Sequence, residues 1–152
     1  MPNGFHGPKE EWDRMEAPYL RIDPILAAFA QRHGVELYKN YRDADRCLRF
    51  NDALSRAIWV NVTDRYGASG TYRVSVLAHQ DRPERYIKGA SIAEAVIPDD
   101  LDRVLEDAAQ VVASWSEHDL QPARYRQERR WIRWVRALYA RLTEHQSSSR
   151  GK

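Results

Sequence analysis

Between residues 35 and 88 the chain is a succession of short β-branched and aromatic segments separated by turn residues. No connection among them reaches the dozen or more residues that a crossover between parallel strands requires. Short connections therefore favour an antiparallel meander over parallel pairing. Candidate strands cover 35–38, 46–50, 56–62 and 71–79, with a fifth at 85–88 reached through a turn at 81–83. The fourth alternates throughout. Tyr72, Val74, Val76 and Ala78 fall on one face, and Thr71, Arg73, Ser75, Leu77 and His79 on the other, as the two-residue period of a half-buried strand demands. Residues 64–70 supply a hairpin loop in which Gly67 and Gly70 can take positive φ.

Helical periodicity flanks this block. Pro8 suits the first turn of a short helix over 9–16, stopped by Pro18, with Trp12, Met15 and Tyr19 facing inward. In the next helix Asp23 is expected as the cap, Pro24 as the first helical residue and Gly34 as the left-handed exit. After Pro98, Leu101, Val104, Leu105, Ala108, Val111, Val112 and Trp115 form one apolar stripe. That helix, 99–117, should pack across the sheet. Residues 118–122 read as a break before a last helix over 124–144, and 147–152 as a frayed end. The expected class is α+β, a four- to five-stranded antiparallel meander between N- and C-terminal helices, in the order αα-βββββ-αα.

Charge divides the chain at the same point. Residues 1–120 hold 15 Lys/Arg against 20 Asp/Glu, net −5, whereas 121–152 hold 9 against 2, net +7. The organisation read from this is one α+β domain over 1–120 followed by a basic amphipathic helix and tail over 121–152. The longest uninterrupted apolar run is six residues, 25–30, against about 20 for a membrane-spanning helix. Residues 1–8 lack the basic and then apolar pattern of a secretory signal, and a single cysteine leaves no internal disulfide framework. A cytoplasmic setting is expected, and the excess of arginine over lysine, 20 to 4, suggests a bacterial source.

Catalytic chemistry has little support. Histidines at 6, 33, 79, 118 and 145 include no pair three or four apart that would share a helical face, so no metal or other cofactor is expected. Phosphate-loop, dinucleotide, zinc-protease and nucleophile-elbow motifs do not occur. Cys47 lies between Arg46 and Arg49, cations that could favour a thiolate, although lone cysteines are more often small buried residues. Asp99, Asp100 and Asp102 are explained by a helix start, where the dipole favours negative charge. Residues 3–8 could lie over a groove, but a weakly ordered terminus is the simpler reading.

Two surfaces remain as candidates for binding. One is the sheet face opposite the apolar side, carrying Trp59, Arg73 and His79. The other is the last helix, where Trp131, Trp134, Val135, Leu138 and Leu142 recur at helical spacing beside Arg129, Arg130, Arg133 and Arg136. That helix could dock on its own domain or a dimer mate, meet a partner's groove, contact nucleic acid through phosphates, or less favourably lie on an anionic membrane. The leading reading is a small non-catalytic module that binds another protein or forms a homodimer. The second is a nucleic-acid binder using Arg124, Arg126, Arg129, Arg130, Arg133 and Arg136. The third is an enzyme with a dispersed pocket near Cys47, Trp59, Arg73 and His79.

Overall fold

A computed structural model describes residues 5–81 and 85–122. The last helix expected over 124–144, and with it Arg129 to Arg136, lies outside the described residues. Within them the class is α+β: three α-helices and a six-stranded sheet in sequential order, β1 to β6. The four pairings from β1 to β5 are all antiparallel, as the short connections require. The strands are β1 (Glu36–Lys39), β2 (Arg46–Arg49), β3 (Ala57–Val62), β4 (Tyr72–Asp81), β5 (Arg85–Val96) and β6 (Gln121–Pro122).

The sheet corrects the expected count and order. β5 runs for 12 residues rather than the expected four, and the added stretch from Gly89 onward is rich in Gly, Ala and Ser, residues of low β propensity. Pairing with β4 across ten residues, through a bulge near Val74, holds it in place. β6 adds a sixth strand where a simple break was expected, after a short 3₁₀ turn over Glu117–Asp119. The observed order in the described chain is therefore αα-βββββ-α-β.

Helix α1 spans Lys9–Leu20, so Pro18 does not stop it. A proline within a helix frees the carbonyl four residues earlier, and here that residue, Arg14, is exposed to water. The fully buried Tyr19 one step further holds the end of the helix against the sheet. Its hydroxyl donates to Asp45 Oδ1 at 2.8 Å and accepts from the Val62 backbone N–H at 3.0 Å. Burial, then the Asp45 charge, pushes the Tyr19 phenol well above its usual range. The Tyr72 hydroxyl donates to the Pro18 carbonyl at 2.6 Å, a second tie between α1 and the sheet.

Helix α2 spans Asp23–His33 and ends at Gly34 with φ of 62°, the left-handed exit expected. Asp23 is not its cap. The cap position is Ile22, and the Asp23 carboxylate is held instead by Arg46 of β2. Helix α3 spans Pro98–Ala113, shorter at its end than 117, and buries Leu101, Val104, Leu105, Ala108 and Val112 of the expected stripe. These meet Ile58, Val60, Val74, Val76 and Ala78 from the helix-facing side of β3 and β4 in one continuous core. Arg32 and His33 at the end of α2 reach Asp102 and Glu106 of α3, fastening the two helices at an exposed edge. The His33 ring and then the Arg32 guanidinium hold the Glu106 carboxyl below the usual range.

Candidate functional site

Side chains alternate along a strand, so the pairing register dictates which of them meet on the face turned away from the core. One row across that face reads Tyr38, Cys47, Trp59, Ser75, Ser91; the next reads Glu36, Arg49, Ala57, Leu77, Gly89. Leu48, Ile58 and Val76 lie on the helix-covered face and are fully or almost fully buried, whereas Trp59 and Leu77 are half-buried. Among the described residues no helix packs on this second face.

At one end it deepens into a cleft of about 770 Å³. Cys47, Ala57, Trp59 and Leu77 form its floor, and the segment from Phe50 to Arg56 forms one wall. That wall is pinned to the sheet. The Phe50 N–H donates to the Arg56 carbonyl, and the His79 N–H to the Leu54 carbonyl, both at 2.9 Å. Leu54 is buried beneath, while Ser55 turns the chain with φ of 43°. Arg49, Arg56, His79 and Arg85 stand around the mouth together with Glu36 and Asp52.

The cations are held in different ways. Arg49 lies over the Tyr38 ring at 3.6 Å and makes no ion pair among the described residues. Arg56 pairs with Asp52, Nε to Oδ2 at 3.6 Å, too long for a hydrogen bond, so this buried N–H has no hydrogen-bond acceptor among the described residues. Cys47 is 1% exposed, and burial pushes its thiol up to about 11 despite Arg49 nearby. Arg46, the other flanking cation, points to the opposite face and pairs with Asp23. The thiol thus stays protonated near neutral pH, which favours the small buried residue over the nucleophile.

Two of the three sheet residues singled out from sequence, Trp59 and His79, line the cleft. Arg73 does not. It is on the same face but further along, bound to Glu94 at 2.6 Å. The Ser91 hydroxyl and then Arg73 hold the Glu94 carboxyl below its ordinary range. Arg129, Arg130, Trp131, Arg133, Trp134 and Arg136 lie outside the described residues. Sequence reasoning missed Arg49, Arg56 and Arg85 as members of one site, although the alternation that places Cys47 opposite Leu48 also places Arg49 with Cys47. Asp99, Asp100 and Asp102 sit in the exposed opening turns of α3, away from the cleft.

No helix among the described residues is long and apolar enough to cross a membrane, and no cluster of His, Cys, Asp or Glu there could hold a metal ion. Comparison with protein-family models, with curated proteins and with solved structures finds no match to this chain.

Proposed function

We propose that this protein is a non-catalytic binding module that engages another protein through the face of its sheet turned away from α3. The observation that carries the reading is the cleft: an apolar floor of Trp59, Leu77, Ala57 and Cys47 ringed by Arg49, Arg56 and Arg85. Tryptophan and arginine are the residue types that dominate binding hot spots, and an apolar centre within a polar rim is the usual anatomy of an interface. The protonated state of Cys47 speaks against the dispersed catalytic pocket. The nucleic-acid reading rests on Arg124 to Arg136 and gains nothing from the described residues.

The test is a comparison of native-state captures from source cells. The wild-type chain should retain a protein stoichiometrically, a Trp59→Ala/Leu77→Ala variant should lose it, and Arg103→Glu on the exposed side of α3 should keep it. Retention by all three chains alike, or no stoichiometric capture at all, would refute the reading.

A further inference from the structure

We infer that the cleft takes an acidic segment of its protein partner, with a carboxylate clamped by Arg49 and Arg56 and the neighbouring apolar side chain on Trp59 and Leu77. This rests on the binding-module reading above and adds the chemistry of the occupant.

Three features of the site lead there. Arg49 lies over Tyr38 at 3.6 Å and also reaches the Cys47 thiol; stacking uses the flat face of the guanidinium, so the N–H donors beyond that one contact remain at its edge for a planar acceptor. A carboxylate has that shape. Glu36 sits directly opposite Arg49 in the register, yet no ion pair forms between them. Second, Arg56 is held only by a loose ion pair to Asp52, Nε to Oδ2 at 3.6 Å with no hydrogen bond. The Nε itself is closed to solvent, so a ligand oxygen meets the part of the side chain that stays exposed, 23% of it. Third, the floor beside these cations is apolar and half-buried at Trp59 and Leu77, so the occupant must offer apolar surface next to its charge. An Asp or Glu followed by a large aliphatic residue does so; a bare inorganic anion does not.

Charge decides between possible occupants. Arg49 stands in the lining with no ion pair among the described residues, which disfavours a basic guest. A second copy presenting the same face would set arginine against arginine. An acidic segment from a different protein meets none of these objections.

The experiment uses the full chain, isotopically labelled, with three capped octapeptides of repeated Glu-Leu, Gln-Leu or Lys-Leu, and with inorganic phosphate. The Trp59 indole N–H signal, assigned by its loss in Trp59→Phe, reports occupancy of the floor, and calorimetry reports affinity. The Glu-Leu peptide should shift that signal and bind at least tenfold more tightly than the Gln-Leu peptide. Arg49→Gln and Arg56→Gln should each weaken it tenfold or more with an unchanged thermal midpoint. Arg49→Lys should fall in between, because it keeps charge but loses the planar fork. Equal binding of the Glu-Leu and Gln-Leu peptides, no shift at Trp59, or phosphate competing as effectively as the peptide would overturn the assignment. If the captures described above depend on Trp59 and Leu77 while the acidic peptide fails, the chemistry of the occupant is wrong and the binding face stands. If the captures are indifferent to that face, the broader reading falls as well.

Discussion

Replacing Arg46 by methionine tests what joins α2 to the sheet. Arg46 is 1% exposed, and its Nε and Nη2 meet the two carboxylate oxygens of Asp23 at 2.6 and 2.8 Å. Nη1 donates to the Ala44 carbonyl, and the guanidinium lies 4.9 Å from the centre of the Tyr19 ring. Removing one member of a buried pair costs about 3–5 kcal/mol, chiefly because the other is left desolvated and alone. Asp23 keeps 28% of its side-chain exposure and can recover some hydration, so Arg46→Met should fall near the lower end, about 3 kcal/mol. In a chain of this size that corresponds to roughly 6–12 °C in Tm. Asp23→Asn should cost a similar amount, since it leaves a buried guanidinium that keeps its charge with only Glu16, 3.8 Å away, as a carboxylate partner. The double variant Arg46→Met/Asp23→Leu removes both charges and should be no less stable than either single variant, a coupling of about 2 kcal/mol or more. Urea unfolding at pH 7, followed by circular dichroism and extrapolated linearly, measures all three. Losses that add to within about 0.5 kcal/mol would show that the two side chains act independently and refute the argument.

Other positions make sharper or narrower tests of the same structure. Gly34 and Gly67 both have positive φ, but a Cβ at Gly34 meets nothing within 4 Å whereas one at Gly67 falls 2.6 Å from Pro18 Cβ. Gly34→Ala should therefore cost only the left-handed penalty, about 1 kcal/mol, and Gly67→Ala distinctly more in the same unfolding assay. Tyr72→Phe deletes the hydroxyl that reaches Pro18 and should lower stability by about 1 kcal/mol; no loss would remove that bond as a tie between α1 and the sheet. Cys47, with its thiol pushed up to about 11, should react with iodoacetamide at pH 8 on the order of a hundredfold more slowly than in urea, from the thiolate fraction alone. The sign of the linkage follows: the folded value lies above the unfolded one, so this stabilisation is intact below about pH 8.5 and is lost as pH rises towards 11. Equal alkylation rates in folded and unfolded chains would contradict it.

Local chemistry made some elements readable and hid others. The left-handed glycine at 34 and the alternation of β4 act within a few residues of themselves, so both appear in the structure as the sequence implies. The stretch of β5 from Gly89 onward could not be read that way. Its glycine, alanines and serine become a strand because β4 offers a partner edge, and only the tertiary pairing supplies that. Asp23 shows the same limit in reverse: its residue type and position predicted a cap, and a partner 23 residues away took its carboxylate instead. The cleft was half legible. Alternation placed Trp59 and His79 on one face, but which arginines stand beside them depends on strand register and on how the loop from Phe50 to Arg56 is pinned.

Arg46 and Arg49 bring these points together. They are three residues apart on a four-residue strand, the same side chain on opposite faces. Arg46 faces the helices and has two hydrogen bonds to a carboxylate, a carbonyl and a ring around it. Arg49 faces outward, stacked on Tyr38 and without an ion pair among the described residues. A charge fully satisfied inside the fold contributes to folding; one that is positioned but unpaired at an apolar cleft is poised for something outside it. The two should therefore separate under mutation, Arg46→Met lowering stability and Arg49→Gln lowering affinity for the acidic peptide at constant stability. A loss of stability at Arg49 equal to that at Arg46 would mean that both faces of β2 serve the fold, and the outward face would lose its standing as a binding surface.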